Sequence, residues 1–409
     1  MILASLLVGP SLWAAPLDSP KLKGAITAAI VTELDGSVLF ERFADTRVMP
    51  ASNEKLFTCA FALAQRGKDY TSKTRIWRTD DSIQIVADGD PILDSSKLAE
   101  VRTLLGKVSE AKVFLKQAYV QDRPDSWQLG DAPNRYAPAI HAFSVDKAGF
   151  EVWLGPEGVK FKPHEPEIKK IQLLDSSGSK SSVKFNPLAS ELTVLGPMPL
   201  VDTKVDTLSD PNPSETALKI LTGSGTAKEL KDVPTALNDI TLSSPPISQL
   251  ISDCLKPSDN CLAEHLLFIG SAKPTYSEAQ KSISQWLIKS VGLESWAFKV
   301  EDGSGLSRKN ITTARSVSKL LTWAAKQPTF NLWQDSLAAS GAGTLAKRLK
   351  GIDFKGKTGT LAMVSALSGY VKCTNGKTRI VSVILNQYGC SETDAREALD
   401  QFIENVAKK

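Results

Sequence analysis

The 409-residue sequence is poor in the residues that bind transition metals. It contains three histidines (His141, His164 and His265) and five cysteines, and no CxxC or HxxxH spacing occurs. Protein metal sites usually draw on such closely spaced pairs, so we do not expect a metalloenzyme. Chemistry in this chain must therefore fall mostly to Ser, Lys, Asp, Glu, Asn and Tyr.

The sequence also lacks a strong charge bias and any long basic run. Forty-nine Lys and Arg face 45 Asp and Glu, for a net charge of +4, so no nucleic-acid partner is expected. Hydrophobic residues make up 42% and charged residues 23%, as in ordinary globular chains. This composition excludes wholesale disorder and a multi-span membrane protein, and the length predicts two or three domains.

The N-terminus is a short apolar stretch, MILASLLVGPSLWAA. It is shorter than the roughly 20 residues that span a bilayer, but it is similar to the apolar part of a secretory signal. We therefore predict a signal peptide over residues 1–15 and an exported protein. The usual basic residues before the apolar run are missing, which a start codon assigned too late would explain.

The cysteines are consistent with export. Cys59 lies in an apolar helical run and is predicted to be a buried free thiol. In an oxidising compartment Cys254 with Cys261, or Cys373 with Cys390, are candidate disulfides. The sequence does not decide between pairing and free thiols.

Two hairpins are predicted, one near each terminus. Residues 25–43 surround an Asp-Gly pair, and residues 365–373 and 378–386 surround an Asn-Gly pair. Both pairs favour tight turns because their residues accept positive φ. We therefore expect one antiparallel sheet assembled from both ends of the chain.

Helices are predicted beside both hairpins. One begins near Pro50 and Ser52 and ends at Gly67, and another begins at Ser391, which is expected to cap it. We assign residues 24–65 and 238–409 to one domain with this sheet. Residues 66–237 contain short β-like runs between turn residues, so we interpret them as a β-rich insertion of one domain or two nested ones.

Three short motifs carry candidate chemistry: Ser52-Asn-Glu-Lys55, Ser258-Asp-Asn260 and Lys357-Thr-Gly359. On a helix, residues three apart share a face, so Lys55 can reach the Ser52 hydroxyl. A desolvated lysine can act as the base that activates a serine. The Ser-x-x-Lys pattern alone is weak, because it recurs at five other serines: Ser109, Ser144, Ser177, Ser181 and Ser316.

Taken together and in this order, the three motifs resemble those of the penicillin-binding proteins and serine β-lactamases. Longer stretches are similar to class C low-molecular-mass penicillin-binding proteins, which are D-alanyl-D-alanine carboxypeptidases and endopeptidases with domains inserted between the first two motifs. The stretches are PASNEKLFTCAFAL, ADGDPIL, YAPAIHAFSVD, SPPISQLISDCLKPSDNCLAEHLL, EDGSGLSRKN and GKTGTL. They extend in order from about residue 24 to the C-terminus.

The resemblance implies a fold and an activity. The fold would be α/β (α+β) of the penicillin-binding/β-lactamase-like transpeptidase type, an antiparallel sheet flanked by helices, with β-rich inserted domains. The activity would be cleavage of peptidoglycan stem peptides through an acyl-enzyme, without a cofactor, in the periplasm or at the cell wall. β-Lactam antibiotics would be the other binding partners.

The resemblance also implies roles for individual residues. Ser52 would be the nucleophile, Lys55 its base, and Ser258 a proton relay. Burial and the charge of Lys357 are expected to lower the pKa of Lys55. The backbone N–H groups of Ser52 and Thr360 would form the oxyanion hole. Substrate would be bound by Asn260, Lys357, Thr358, Thr360, Arg308 and Asp146, the last facing the amino group of a dibasic third residue.

Three alternatives remain at this level. The sequence does not separate carboxypeptidase from endopeptidase activity. A class A β-lactamase would need a glutamate between Ser258 and Lys357 to activate water, and none there lies in a Glu-x-x-Leu-Asn context. A non-catalytic peptidoglycan-binding relative would lack a motif serine or lysine, and none is missing. Glu264 and His265, adjacent on a predicted helix, are interpreted as structural. The oligomeric state is not predicted.

Overall fold

The computed structural model describes residues 11–108, 110–174, 180–234 and 239–409, so most of the predicted signal peptide, and the serines at 109 and 177, lie outside the described residues. The α-helices are α1 (Ser11–Ala14), α2 (Glu54–Arg66), α3 (Ser95–Leu105), α4 (Pro213–Thr222), α5 (Ile247–Leu255), α6 (Asn260–Ser271), α7 (Tyr276–Trp286), α8 (Ala314–Ala325), α9 (Phe330–Ser336) and α10 (Glu392–Ala407).

The strands of the described residues form five sheets. They are β1 (Ile26–Glu33), β2 (Val38–Arg42), β3 (Lys73–Arg78), β4 (Ser82–Ala87), β5 (Lys112–Gln117), β6 (Val120–Gln121), β7 (Ile140–His141), β8 (Gly149–Gly155), β9 (Gly158–Lys162), β10 (Lys170–Leu174), β11 (Ser182–Asn186), β12 (Glu191–Leu195), β13 (Thr203–Ser209), β14 (Lys228–Glu229), β15 (Ile240–Ser243), β16 (Ala338–Ala339), β17 (Phe354–Leu361), β18 (Val364–Lys372) and β19 (Thr378–Asn386).

The chain divides into two compact units. The first contains residues 1–69, 247–271 and 277–409, and the second contains residues 70–246 and 272–276. The junctions near 69 and 246 lie four and nine residues beyond those expected from the sequence, at 65 and 237.

The first unit is built on a six-stranded sheet in the order β16-β17-β18-β19-β1-β2. All neighbouring strands pair antiparallel, and β1 from the N-terminal region pairs with β19 along its whole length. The predicted sheet from both chain ends is therefore confirmed.

Alternate residues of each central strand face opposite layers of helices, as the two-residue period of a strand requires. On β19, Val381 and Val383 join an apolar core with Phe402 of α10. On the other face, the Tyr370 hydroxyl of β18 donates to the carbonyl of Leu321 in α8, at 2.8 Å. Helices thus cover both faces of the sheet, as expected.

Trp13 belongs to the core on the α10 face. It is 5% exposed, its ring meets Phe40 edge-on at 6.2 Å, and the Arg379 guanidinium lies over it. This residue falls inside the predicted signal peptide, so removal of residues 1–15 would take a tryptophan out of the core.

The two predicted hairpins form, but with wider turns than the two-residue type. Four residues separate β1 from β2, and five separate β18 from β19. Gly36 and Gly376 have φ of +99° and +83°, while the preceding Asp35 and Asn375 do not adopt positive φ. Instead, each of these two side chains accepts the N–H of the residue two positions later, which closes the turn locally.

The predicted helix ends are also present. Helix α2 stops at Gly67, whose φ of +80° is a conformation that glycine adopts readily. Helix α10 is capped by Ser391, whose hydroxyl accepts the N–H of Asp394. A short 3-10 helix, Ala51–Asn53, precedes α2 and contains Ser52.

The second unit is rich in strands. It contains a five-stranded mixed sheet, β14-β5-β4-β3-β15, two three-stranded sheets, β10-β12-β11 and β13-β8-β9, and the pair β6-β7. Phe150 of β8 and Phe185 of β11 meet edge-on in a core that joins the two three-stranded sheets. Helices α3 and α4 complete the unit.

All five cysteines lie in the described residues, and none is bridged there. Cys59 is a buried free thiol, as predicted. No helix of the described residues combines the length and the apolar character needed to cross a membrane.

Candidate active site

The first motif lies on a constrained turn. Ser52 is in the 3-10 helix that leads into α2, and the preceding Ala51 has φ of +47°, an uncommon conformation for a residue with a Cβ. The neighbouring Asn53 is buried and donates to the Ser368 hydroxyl of β18 at 3.2 Å. The turn is thereby anchored to the sheet, with the Ser52 side chain half-buried at its edge.

Two glycines allow other segments to approach this turn closely. A Cβ on Gly305, which has φ of +82°, would lie 1.9 Å from the Ala51 carbonyl oxygen. A Cβ on Gly359 would lie 2.8 Å from the Pro50 oxygen and 3.1 Å from the Ser52 nitrogen. The backbone of β17 therefore passes beside the Ser52 N–H group, as an oxyanion hole made with Thr360 requires.

Lys55 is fully buried, and its Nζ contacts three oxygens. These are Ser52 Oγ at 3.0 Å, Asn260 Oδ1 at 2.6 Å and the Ser304 carbonyl at 2.7 Å. A neutral amine has two N–H donors and one lone pair. The amide and the carbonyl can accept both donors, which leaves the lone pair directed at the serine hydroxyl.

Burial sets the protonation of the two motif lysines. It lowers the pKa of Lys55, and nearby acidic groups offset part of that effect. Burial and then the charge of Lys55 hold the pKa of Lys357 well below its usual range. The expected direction for Lys55 is present, but the effect of one lysine on the other falls on Lys357.

The second and third motifs meet through their first residues. Lys357 Nζ donates to Ser258 Oγ and to the Thr358 carbonyl, both at 2.8 Å. Ser258 has φ of +66°, and Asp259 caps α6 by accepting the Leu262 N–H. Asn260, the first residue of α6, is thereby placed against Lys55. One set of hydrogen bonds thus joins Ser52, Lys55 and Asn260, and a second joins Lys357 and Ser258.

Other predicted residues lie around the end of β17. Thr358 is buried and Thr360 is exposed at the strand end. Arg308 is half-buried, and its guanidinium donates to the Ala362 carbonyl just after β17, at 3.2 Å. Arg308 is therefore held next to the exposed strand end.

Asp146 belongs to the second unit and is already bonded there. Its carboxylate accepts from His164 Nδ1 at 2.8 Å and from the Ser95 N–H at 3.2 Å. Burial raises its pKa, but these hydrogen bonds outweigh that effect and lower it. The other imidazole nitrogen lies 3.5 Å from Asp210, an ion-pair distance beyond an ordinary hydrogen bond.

The sequence patterns did not predict that the loop of residues 302–305 contacts Lys55. In the sequence, residues 302–305 were singled out only as part of the EDGSGLSRKN stretch, yet the Ser304 carbonyl is a direct partner of Lys55. Glu264, interpreted as merely structural, accepts two N–H groups of this loop. The EDGSGLSRKN stretch was the available signal, although it identifies no role for a backbone carbonyl.

Comparison with known sequences assigns a family. The profile of the D-Ala-D-Ala carboxypeptidase 3 (S13) family matches residues 11–408. A D-alanyl-D-alanine carboxypeptidase of Actinomadura sp. (strain R39) is 27% identical over 422 aligned residues, covering 89% of this chain and 78% of the relative.

Comparison with solved structures supports the same fold. Penicillin-binding protein 4 of Haemophilus influenzae aligns with a TM-score of 0.78 at 20% identity, covering 97% of this chain and 98% of the other. Its complex with a β-lactam aligns with a TM-score of 0.74 at 19% identity, covering 96% and 98%. The expected penicillin-binding fold is confirmed.

Proposed function

Because the chain belongs to the D-Ala-D-Ala carboxypeptidase 3 (S13) family, we propose that it is a serine DD-carboxypeptidase or DD-endopeptidase that cleaves peptidoglycan stem peptides and is acylated by β-lactams. The observation that carries the proposal is the contact of buried Lys55 with Ser52, at 3.0 Å. A non-catalytic binding protein has no need for a base held against a hydroxyl.

In the first step, Ser52 Oγ attacks the carbonyl carbon of the bond between two D-alanines while Lys55 takes the hydroxyl proton. The developing oxyanion is bound by the N–H groups of Ser52 and Thr360. Loss of one such donor typically costs about 2.7–4 kcal/mol in the barrier.

In the second step, the C–N bond breaks and the leaving amine needs a proton. Lys55 gives back the proton that it took, and Ser258, which accepts a hydrogen bond from Lys357, relays it to the nitrogen. The product amine departs and an ester to Ser52 remains. Water then adds to the ester and releases the acid, with the proton returning to Ser52.

Substrate selection rests on the end of β17. Thr358, Thr360 and Lys357 recognise the terminal carboxylate of the peptide or the equivalent carboxylate of a β-lactam. Arg308 binds a second carboxylate of the stem peptide. Because this substrate lies outside the cytoplasm, we also propose that the mature protein is exported.

The test is covalent labelling with a fluorescent penicillin, followed by mass spectrometry of the labelled peptide. We expect one label, on Ser52, and none on Ser52→Ala. The variant should keep its melting temperature, because a half-buried hydroxyl contributes little packing. A label on another serine, or folded wild type that stays unlabelled, would refute the proposal.

A further inference from the structure

The loop of residues 302–305 is fixed from several sides. Asp302 accepts the N–H groups of Gly305 and Ser307, at 2.7 and 2.6 Å. The Thr58 hydroxyl of α2 donates to the Gly303 carbonyl at 2.8 Å. Each of these contacts holds backbone, not side chain, so the position of the Ser304 carbonyl is determined by the loop as a whole.

Glu264 makes the most direct of these contacts. It is fully buried in α6, and its two carboxylate oxygens accept the N–H groups of Gly303 and Ser304, at 2.9 and 2.8 Å. The Ser304 carbonyl then accepts from Lys55 Nζ at 2.7 Å. A continuous path runs from the carboxylate, through one residue of backbone, to the lysine.

We propose that Glu264 is a positioning residue for the acylation step, fixing the Ser304 carbonyl so that the Lys55 lone pair is directed at Ser52. It touches neither substrate nor Ser52, and it acts through the loop. The inference rests on the proposed function, since it assigns the role by which Lys55 is oriented.

The charge of Glu264 also acts on Lys55. Nearby negative charge favours the ammonium form, so the carboxylate opposes the effect of burial on the Lys55 pKa. Burial and the charge of Asp302 raise the pKa of Glu264 itself to about 8. The other titratable groups that act on the Lys55 site are Glu54, Cys59, Cys254, Asp259, Asp302 and Lys357.

These contacts define a measurable signature. Glu264→Gln keeps the size of the side chain but replaces one acceptor oxygen with an amide nitrogen that repels a backbone N–H. We expect β-lactam acylation at pH 8 to fall about 10²-fold, the typical result of a misplacement near 1 Å. We also expect the acid limb of the pH–rate profile to change shape, because the amide removes the titration of Glu264 near pH 8 and, above that pH, a charge that favours protonated Lys55.

Two variants separate this role from simple support of the fold. Thr58→Val removes the opposite contact on the loop without changing charge, so it should slow acylation about fivefold and leave the acid limb in place. Glu397→Gln is the control. Glu397 is an exposed carboxylate of α10, so its replacement should leave rate and profile unchanged.

Each outcome decides the inference. A Glu264→Gln enzyme that acylates within twofold of wild type with the same acid limb overturns it, as does an equal change in Glu397→Gln. If Glu264→Gln does not fold, a wild-type rate in Thr58→Val overturns it. If wild type is labelled at Ser52 in the same experiment, these results refute only the role of Glu264 and leave the proposed function intact. Unlabelled wild type refutes the proposed function and the inference with it.

Discussion

Each of the two units buries a basic side chain, and they treat its charge in opposite ways. In the first unit, Lys55 is surrounded by a hydroxyl, an amide oxygen and a backbone carbonyl, and its pKa is lowered by burial. In the second unit, His164 lies between the carboxylates of Asp146 and Asp210. Burial lowers its pKa, but the hydrogen bond to Asp146 and the negative charge of both carboxylates outweigh this and raise it to about 9.

The difference shows that burial alone does not decide the charge of a basic group. Neutral oxygens accept hydrogen bonds from the N–H groups of a lysine but do not offset its positive charge. The neutral form of the base is therefore favoured. Carboxylates stabilise the protonated imidazole, so the histidine becomes one member of a buried ion cluster. The first arrangement suits proton transfer, whereas the second suits structural support.

The largest expected effect is from Lys55→Arg, which keeps the positive charge but cannot deprotonate. Acylation by a β-lactam should fall by at least the 10²–10⁴-fold typical of a lost general base. Because Lys55 and Ser52 act together, the loss will not add to that of Ser52→Ala. Acylation rates should be measured from pH 6 to 10.

The matched control for this variant is Lys68→Arg, which changes an exposed lysine paired with Asp69 and should leave the rate unchanged. A Lys55→Arg enzyme that acylates within threefold of wild type would show that another group is the base. The contrast between the two units would then lose its functional meaning.

The next effect tests the second unit. His164→Gln leaves two carboxylates, Asp146 and Asp210, without their cation, and breaking such a buried cluster typically costs about 3–5 kcal/mol. Native-state hydrogen exchange should show lost protection in β8, with β18 of the first unit as the internal reference. Adding Asp210→Asn should restore part of the protection, because one unpaired charge is removed.

In the wild-type protein, the same cluster should make the stability of the second unit depend on pH. The pKa of His164 is raised to about 9 in the folded chain, against about 6.5 when unfolded. Its contribution is therefore complete below about pH 6.5 and is lost as pH rises through 9. At about 1.4 kcal/mol per pKa unit, the loss is about 3 kcal/mol. Constant protection of β8 from pH 6 to 9.5 would contradict this.

The smallest expected effect comes from placing a carboxylate beside the buried lysine of the first unit, as carboxylates lie beside the histidine of the second. Asn260→Asp places a carboxylate 2.6 Å from the Lys55 position in wild type. An opposite charge at that range raises a lysine pKa, by about 1–3 units. Acylation at pH 7 should fall about 10–10³-fold and recover at high pH. Asn260→Ala, which adds no charge, should not move the acid limb upward. An unchanged profile in Asn260→Asp would break the comparison.

Local sequence signals predicted much of the first unit. The turn glycines, the Ser391 cap and the helix ended by Gly67 were all visible, because each depends on residues a few positions apart. The three motifs were visible as well. Their contacts depend on folding that joins positions more than two hundred residues apart, and the family resemblance supplied that knowledge.

The remaining features depend on contacts that no short pattern encodes. In the sequence, Glu264 resembles any buried helix residue, because its contacts with the loop of residues 302–305 form only in the folded chain. His164 stood out only as one of three histidines, and its two carboxylate partners lie 18 and 46 positions away. Asp146 was expected to contact substrate, and no motif indicated the imidazole that already binds it.

The two glycines against the Ser52 turn have a consequence for antibiotic resistance. Gly305 and Gly359 meet residues 50–52 at distances that leave no room for a methyl group, and every substitution of glycine adds at least that much. Neither position therefore offers a graded route to weaker drug binding. A change there displaces the nucleophile itself, so escape from a β-lactam must arise at residues that can vary without moving that turn.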